Sequence, residues 1–213
     1  MTQIIQTRIP ITKIPITKIP ITTIQIIIKT KMIVPTTMVQ IRKPEIKMDR
    51  DSFIRLTRPY RENTRLGRSL HIFNKIFTGA VFGAYPCALA YLLWTGDKLL
   101  PRAILVPFIG FVCLSVFRHI INRPRPYEYF DIPPVIQKDT KGKSFPSRHV
   151  FSATVIGMTL IFALPVPWIG VLMLIPALGL ALIRVLSGVH FISDVIAGAA
   201  FGVLCASAGF LIF

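Results

Sequence analysis

Acidic side chains are scarce in this sequence: nine Asp and Glu stand against 25 Lys and Arg in 213 residues, a formal charge of +16. The few carboxylates are scattered, so no cluster of the kind that holds a divalent cation is legible, and neither a metal nor another cofactor is expected. Cysteine is rarer still. Cys87, Cys113 and Cys205 lie far apart inside apolar runs, form neither a disulfide framework nor a zinc pattern, and read as small buried hydrophobes. The basic balance lacks the aromatic interleaving or zinc spacing of a nucleic-acid binder, so no nucleic-acid partner is expected. A continuous apolar core followed by a small-residue cleavage site is also missing from the first residues, so no secretory signal is expected there.

What the chain does hold is apolar residue, 53% of the total, and that content is unevenly placed. Within residues 1–47 the stretch "RIPITKIPITKIPITT" repeats the unit Ile-Pro-Ile-Thr-Lys, in which the recurring proline forbids a continuous helix and blocks central-strand pairing; a low-complexity, disordered tail is expected over 1–47. Residues 48–71 are polar and Arg-rich and read as a basic juxtamembrane segment. Fifteen of the 25 Lys and Arg precede residue 76, a distribution that suits a cytoplasmic flank or attraction to anionic lipid.

Residues 72–213 read as one membrane-embedded domain. Positions 76–94 carry no charge over nineteen residues, enough to cross a hydrocarbon core of about 30 Å at about 1.5 Å per residue. Positions 103–117 form a second run, extended by Leu99, Leu100 and a snorkelling Arg102. Positions 150–183 lack charge over 34 residues, too many for one crossing, and the Pro165-Val166-Pro167 break divides them into two helices. Positions 195–213 supply a last span, whose Gly198-x-x-x-Gly202 spacing lets a neighbouring helix come close. The expected fold is all-α: an integral membrane bundle of about five transmembrane helices.

Five alternating crossings put three polar clusters on one face of the bilayer: "RHIINRPRP" after the second span, "KGKSFPSRH" before the third, and "RVLSGVHFISD" between the fourth and fifth. Charge at membrane depth costs about 2.5–3.5 kcal/mol per Arg or Asp, so such residues usually line a functional site. The shared face gathers Arg118, Arg123, Arg125, Ser147, Arg148, His149, Arg184, His190 and Asp194. Converging guanidinium forks fit a phosphate. Two imidazoles supply a nucleophile and a general acid, and Asp194, four residues after His190, can hold the tautomer that leaves the other ring nitrogen free to attack. His190 is therefore the expected nucleophile. His149, at the opening of the third span, is the expected acid, beside a helix start suited to an oxyanion. Arg123, flanking Arg125, is read as a lipid head-group contact, and His71 and His119 as interfacial.

These residues carry a resemblance. The chain resembles the type-2 phosphatidic acid phosphatase family, whose signature runs K-x6-R-P, P-S-G-H and S-R-x5-H-x3-D. Here the corresponding residues read R-x6-R-P from Arg118 to Pro126, P-S-R-H from Pro146 to His149, and I-R-x5-H-x3-D from Ile183 to Asp194. Arg118 stands for the family Lys, Arg148 for Gly and Ile183 for Ser, and five spans stand where the family commonly has six. The resemblance implies a bacterial-type plasma-membrane phosphatase. In it His190 forms a phosphohistidine, Asp194 supports it, His149 protonates the leaving group, and Arg118, Arg125, Ser147 and Arg184 bind phosphate, with Arg148 able to add a contact. It further implies a lipid phosphate or a polyprenyl diphosphate as substrate and no metal. A lipid-phosphate carrier or flippase that keeps the same anion pocket without turnover is the other class compatible with these residues.

Overall fold

A computed structural model of the protein describes residues 48–212; the repetitive tail read over residues 1–47 lies outside the described residues, as does Phe213. The described residues form helices only, in the order α1 (Arg50–Glu62), α2 (Thr64–Thr95), α3 (Leu100–Ile121), the single turn α4 (Pro126–Tyr129), α5 (Arg148–Ala163), α6 (Pro167–Leu186) and α7 (Ile192–Leu211).

The boundaries follow local chemistry. Asp49 caps α1 by accepting the Ser52 N–H at 3.2 Å, and Asn63 Oδ1 caps α2 by accepting from Arg65 and Leu66; both satisfy amides that a helix start leaves open. Gly96 ends α2 in the left-handed region, at φ 66°, where glycine pays no Cβ penalty. Pro167 sits in the first turn of α6, where its missing N–H and fixed φ cost nothing. The break at 164–166 between α5 and α6 is thus the one that the paired prolines announce.

Among the described residues, four segments are long and apolar enough to cross a membrane: Thr64–Thr95, Leu100–Tyr129, Pro167–Leu186 and Ile192–Leu211. The fifth apolar helix, α5, has only 16 residues, about 24 Å of rise. It packs against α2, α3, α6 and α7, and its residues Val150–Ile156 are all buried. A helix enclosed by protein on every side need not match the bilayer in length, because its partners rather than lipid cover its apolar surface.

The outer helices are turned the other way. Trp94, Phe108, Ile175, Leu178, Ile196 and Leu204 are all exposed, a belt that water would not tolerate but hydrocarbon requires. The cysteines follow the same logic. Cys87 and Cys113 are exposed and Cys205 is half-buried, so the expectation of buried thiols fails: in a membrane bundle an apolar residue is satisfied by facing lipid.

Close packing at the centre depends on small residues. A Cβ on Gly198 would stand 2.6 Å from the Ser147 carbonyl oxygen, and one on Gly202 2.8 Å from Thr154 Cβ. The Gly198/Gly202 pair is therefore where α7 lies against α5, as the spacing suggested. At the end that carries the polar motifs, α1 lies over the α6–α7 turn: the Phe53 ring stacks on Phe130 with centroids 5.1 Å apart, and Gly188 faces Phe53 and Thr57. The Arg-rich segment is thus helical, with Phe53 and Thr57 inward and Arg55 and Arg58 exposed. Gly202→Leu should separate α5 from α7 and lower stability by about 1–3 kcal/mol, read as a fall in the thermal unfolding midpoint of the detergent-solubilised protein.

Candidate active site

The loop after α3, the loop into α5 and the α6–α7 turn meet at one end of the bundle. Their meeting point is the Asp194 carboxylate, which is 0% exposed. Its Oδ2 accepts the Ser144 hydroxyl at 2.5 Å and the Phe191 backbone N–H at 3.0 Å, and lies 3.4 Å from His190 Nδ1. Its Oδ1 accepts Arg123 Nη1 at 2.8 Å. His190 precedes α7 rather than belonging to it, so the His190–Asp194 contact comes from the turn at the helix start; the four-residue spacing is right for a reason other than helical periodicity.

Arg123 differs from expectation. It is 2% exposed and buried in an ion pair with Asp194, where the sequence reading placed it among lipid head groups. The same Nη1 donates to Ser193 Oγ at 2.8 Å, and the guanidinium lies 4.6 Å over the Phe191 ring, a favourable cation–π position. The physical reason is compensation: an ionised carboxylate removed from water needs a paired cation, and breaking such a pair typically costs about 3–5 kcal/mol. Ser144, to which the sequence pattern gives no role, bridges Asp194 and His190, its Oγ standing 3.3 Å from His190 Nδ1. No short motif marks either residue; Arg123 carries only the weak signal of a second arginine two positions before Arg125, in the run Arg123-Pro124-Arg125-Pro126.

Arg118 spends its guanidinium on the loop that leads into α5, donating to the carbonyls of Lys143, Ser144 and Pro146. Arg125 Nε donates to the Gly142 carbonyl at 3.1 Å, and Glu128 accepts the Gly142 N–H at 2.8 Å. Ser147 is the N-cap of α5, and its N–H is bound to the Asp194 carbonyl at 2.8 Å. His149 lies in the first turn of α5, within electrostatic range of Arg184 and His190. Arg148 is exposed, with its guanidinium 5.5 Å over the Phe111 ring.

Several donors at this end are buried without a partner: Arg125 Nη1, Ser147 Oγ and Arg184 Nε, together with Arg123 Nε. Buried polar groups are ordinarily satisfied, and the first three are those that the motifs assign to a phosphate. Lys138, from the loop between α4 and α5, was not singled out by any motif. Burial, then the charges of Arg184, Arg125, Arg148 and Arg118, push its ammonium down to about 8. A lysine within electrostatic range of four arginines marks a strongly electropositive region, in which a multiply charged anion relieves the repulsion. Burial likewise pushes the His190 imidazole down to about 4, against the opposing pull of Asp194, so the ring is neutral at physiological pH. Among the described residues no group of three or more His, Cys, Asp or Glu side chains gathers at a cation-binding distance.

The protein is thus a helical bundle of the integral membrane type with a cationic, two-histidine site at one end. A family profile described as the PAP2 superfamily matches residues 102–213, more than half of the chain, and the chain belongs to that superfamily. The lipid A 1-phosphatase of Rhizobium etli (strain ATCC 51251 / DSM 11541 / JCM 21823 / NBRC 15573 / CFN 42) is 34% identical over 116 residues, which cover 53% of this chain and 47% of that protein. The protein of the same name from Rhizobium johnstonii (strain DSM 114642 / LMG 32736 / 3841) is 36% identical over 117 residues, covering 53% and 45%. The chain spans about half the length of the curated relatives it matches. Among solved structures, LpxE of Aquifex aeolicus superposes with a TM-score of 0.60 at 22% identity, over 76% of this chain and 94% of that one. The first transmembrane PAP2-type phosphatidylglycerolphosphate phosphatase from Bacillus subtilis gives 0.58 at 20% identity, over 75% and 83%. At that identity the likeness is one of fold.

Arg118→Met should leave the carbonyls of Lys143, Ser144 and Pro146 without their donor. The expected cost is about 1–3 kcal/mol, equivalent to about a five- to 150-fold rise in local opening, read as faster hydrogen exchange at the Ser144 and Ser147 amides.

Proposed function

We propose that this chain is a membrane phosphatase that hydrolyses the phosphate of an amphiphilic lipid phosphate or diphosphate through a phosphohistidine on His190, without a metal. The observation that carries the reading is the set of buried, unpartnered donors Arg125 Nη1, Ser147 Oγ and Arg184 Nε, at the end of the bundle that also holds the two histidines. Membership of the PAP2 superfamily supports it independently.

In this reading Arg125, Arg184 and Ser147 hold the non-bridging oxygens, with Arg118 fixing the loop that presents Ser147 and Arg148 at the rim. His190 Nε2 attacks phosphorus as the bond to the lipid oxygen breaks, and His149 gives that oxygen its proton. Water then attacks phosphorus while His149 takes a proton from it, the P–N bond breaks, and inorganic phosphate leaves. Because the transition state spreads charge over three equatorial oxygens, fixed cations and backbone donors at the α5 start can supply much of the stabilisation. The exposed apolar belt suits a substrate that stays anchored in lipid while its head group enters the cleft. The names of the relatives direct the choice of substrates: a phosphorylated glycolipid of the lipid A type and phosphatidylglycerol phosphate, with phosphatidic acid and a polyprenyl diphosphate beside them.

The decisive experiment is phosphate release by purified protein in detergent across that lipid panel. Wild type should turn over at least one lipid in the presence of chelator. His190→Ala should reduce kcat by about a thousandfold or more, as loss of a covalent nucleophile does. Tight binding of the lipid by folded wild type with no release would instead identify a carrier.

The pH profile gives a second check. Attack requires neutral His190, and a depressed pKa keeps the ring neutral further into acid, so the acid limb, which reports His190, falls only as pH drops through that pKa, while the general acid His149 sets the opposite limb. The acid limb of kcat/KM in wild type should therefore lie near pH 4, well below the ordinary imidazole value of about 6.5.

A further inference from the structure

We infer that Arg123 is a positioning residue: by holding Asp194 Oδ1 it keeps the other carboxylate oxygen turned toward His190, so that the His190 proton stays on Nδ1 and Nε2 is left bare. The use made of Nε2 rests on the phosphatase reading above; the tautomer itself does not.

The hydrogen count around Asp194 leads there. An ionised carboxylate only accepts. Ser144 has one hydroxyl proton, and it goes to Asp194 Oδ2 at 2.5 Å, so toward His190 Nδ1, 3.3 Å away, Ser144 Oγ has only a lone pair to offer. Asp194 Oδ2 itself stands 3.4 Å from the same nitrogen. Nδ1 thus faces two acceptors and must carry the hydrogen, which leaves the lone pair on Nε2.

This arrangement holds only while Asp194 is ionised and correctly turned, and Arg123 is what holds it. Its Nη1 contacts Oδ1 at 2.8 Å and is steadied by Ser193 Oγ at 2.8 Å, and its plane is flanked by the rings of Phe191 at 4.6 Å and Phe145 at 5.9 Å. The Arg123 carbonyl also accepts the Ser144 N–H at 2.9 Å, so one residue places both the carboxylate and the hydroxyl that bridge to His190. With Arg123 gone, Oδ1 becomes an unpaired buried anion that takes up a proton or rotates. Ser144 is then free to donate to Nδ1, the imidazole proton moves to Nε2, and the nucleophile is blocked.

Arg123 spends its Nη1 on Asp194 and Ser193 and is not one of the residues assigned to phosphate in the reading above. The cavity it lines, about 560 Å³, is bounded by Met48, Asp49, Ser52, Phe191, Ile192, Ser193 and Ile196, with none of His149, Arg125, Ser147, Arg184 or His190 in its wall. Its loss should therefore slow chemistry rather than weaken binding.

The test compares wild type, Arg123→Gln, Arg123→Lys, Asp194→Asn and the Arg123→Gln/Asp194→Asn double variant as full chains in detergent. The 15N spectrum of the histidines, of which the chain has four, should show His190 protonated on Nδ1 in wild type and in Arg123→Lys, and a mixture of tautomers in Arg123→Gln. With dioctanoyl phosphatidic acid, Arg123→Gln should lower kcat about thirtyfold or more at a KM within about twofold, Arg123→Lys should recover most of that loss, and the double variant should be no slower than Asp194→Asn alone. A raised KM at unchanged kcat, losses that multiply in the double variant, or an unaltered His190 tautomer in folded Arg123→Gln would each overturn the inference. If Arg123→Gln does not fold, Arg123→Lys decides: its tautomer must be retained and any loss must fall on kcat. If wild type releases no phosphate from any lipid, the phosphatase reading fails, and the tautomer of His190 alone decides the role of Arg123.

Discussion

The Asp194 carboxylate is the constraint on which the polar end of this bundle depends. Fully buried at the first turn of α7, it carries a charge that the surroundings must compensate at short range, and compensation is drawn from three separate stretches of chain. Arg123 reaches it from the loop after α3, Ser144 from the loop before α5, and His190 and the Phe191 amide from its own turn. Each donor is positioned by the next: the Ser144 N–H binds the Arg123 carbonyl, and the Ser147 N–H binds the Asp194 carbonyl. The carboxylate thus acts as a joint between helices as well as an electrostatic centre. Removing any one partner leaves a buried charge or an unsatisfied donor, each destabilising by amounts comparable to a large share of the stability of a small protein.

Around this joint the cations divide into two kinds. Arg118 donates through both terminal nitrogens to loop carbonyls and Arg123 through Nη1 to Asp194 and Ser193, with only its Nε left buried and unpaired; both hold loops and a carboxylate in place. Arg125 and Arg184 keep buried nitrogens unpaired, as does the Ser147 hydroxyl. Supporting arginines make the cleft rigid and positive; the others are available to an anion. That division separates residues whose substitution disturbs geometry from those whose substitution weakens phosphate binding, and formal charge alone does not distinguish them.

The apolar framework serves the same end. The short α5 is enclosed by its neighbours and starts at Ser147, whose own N–H is bound to the Asp194 carbonyl, so its first turn begins beside the carboxylate. Gly198 lets α7 approach to within contact of Ser147, which brings Asp194 beside the start of α5. Small residues in the packing seam and charged residues in the site are therefore parts of one arrangement, in which close helix approach sets the spacing of the polar groups.

The amino-acid sequence by itself determined the membrane bundle, its helix breaks and the grouping of three motifs on one face. Uncharged runs of spanning length, paired prolines and the alternation of crossings are local or additive properties, and they survive any detail of packing. The pair His190 and Asp194 was legible for the same reason, being close along the chain. What only the tertiary structure decided is which cation serves which anion. Arg123 and Asp194 are 71 positions apart, Ser144 and Asp194 are 50 apart, and the lipid-facing cysteines are told from buried ones only by the direction each helix turns. Partner choice among several nearby arginines depends on ångström-scale distances, because hydrogen bonding and Coulomb energy in a low-dielectric interior change steeply with separation, and no spacing rule along a chain carries that information.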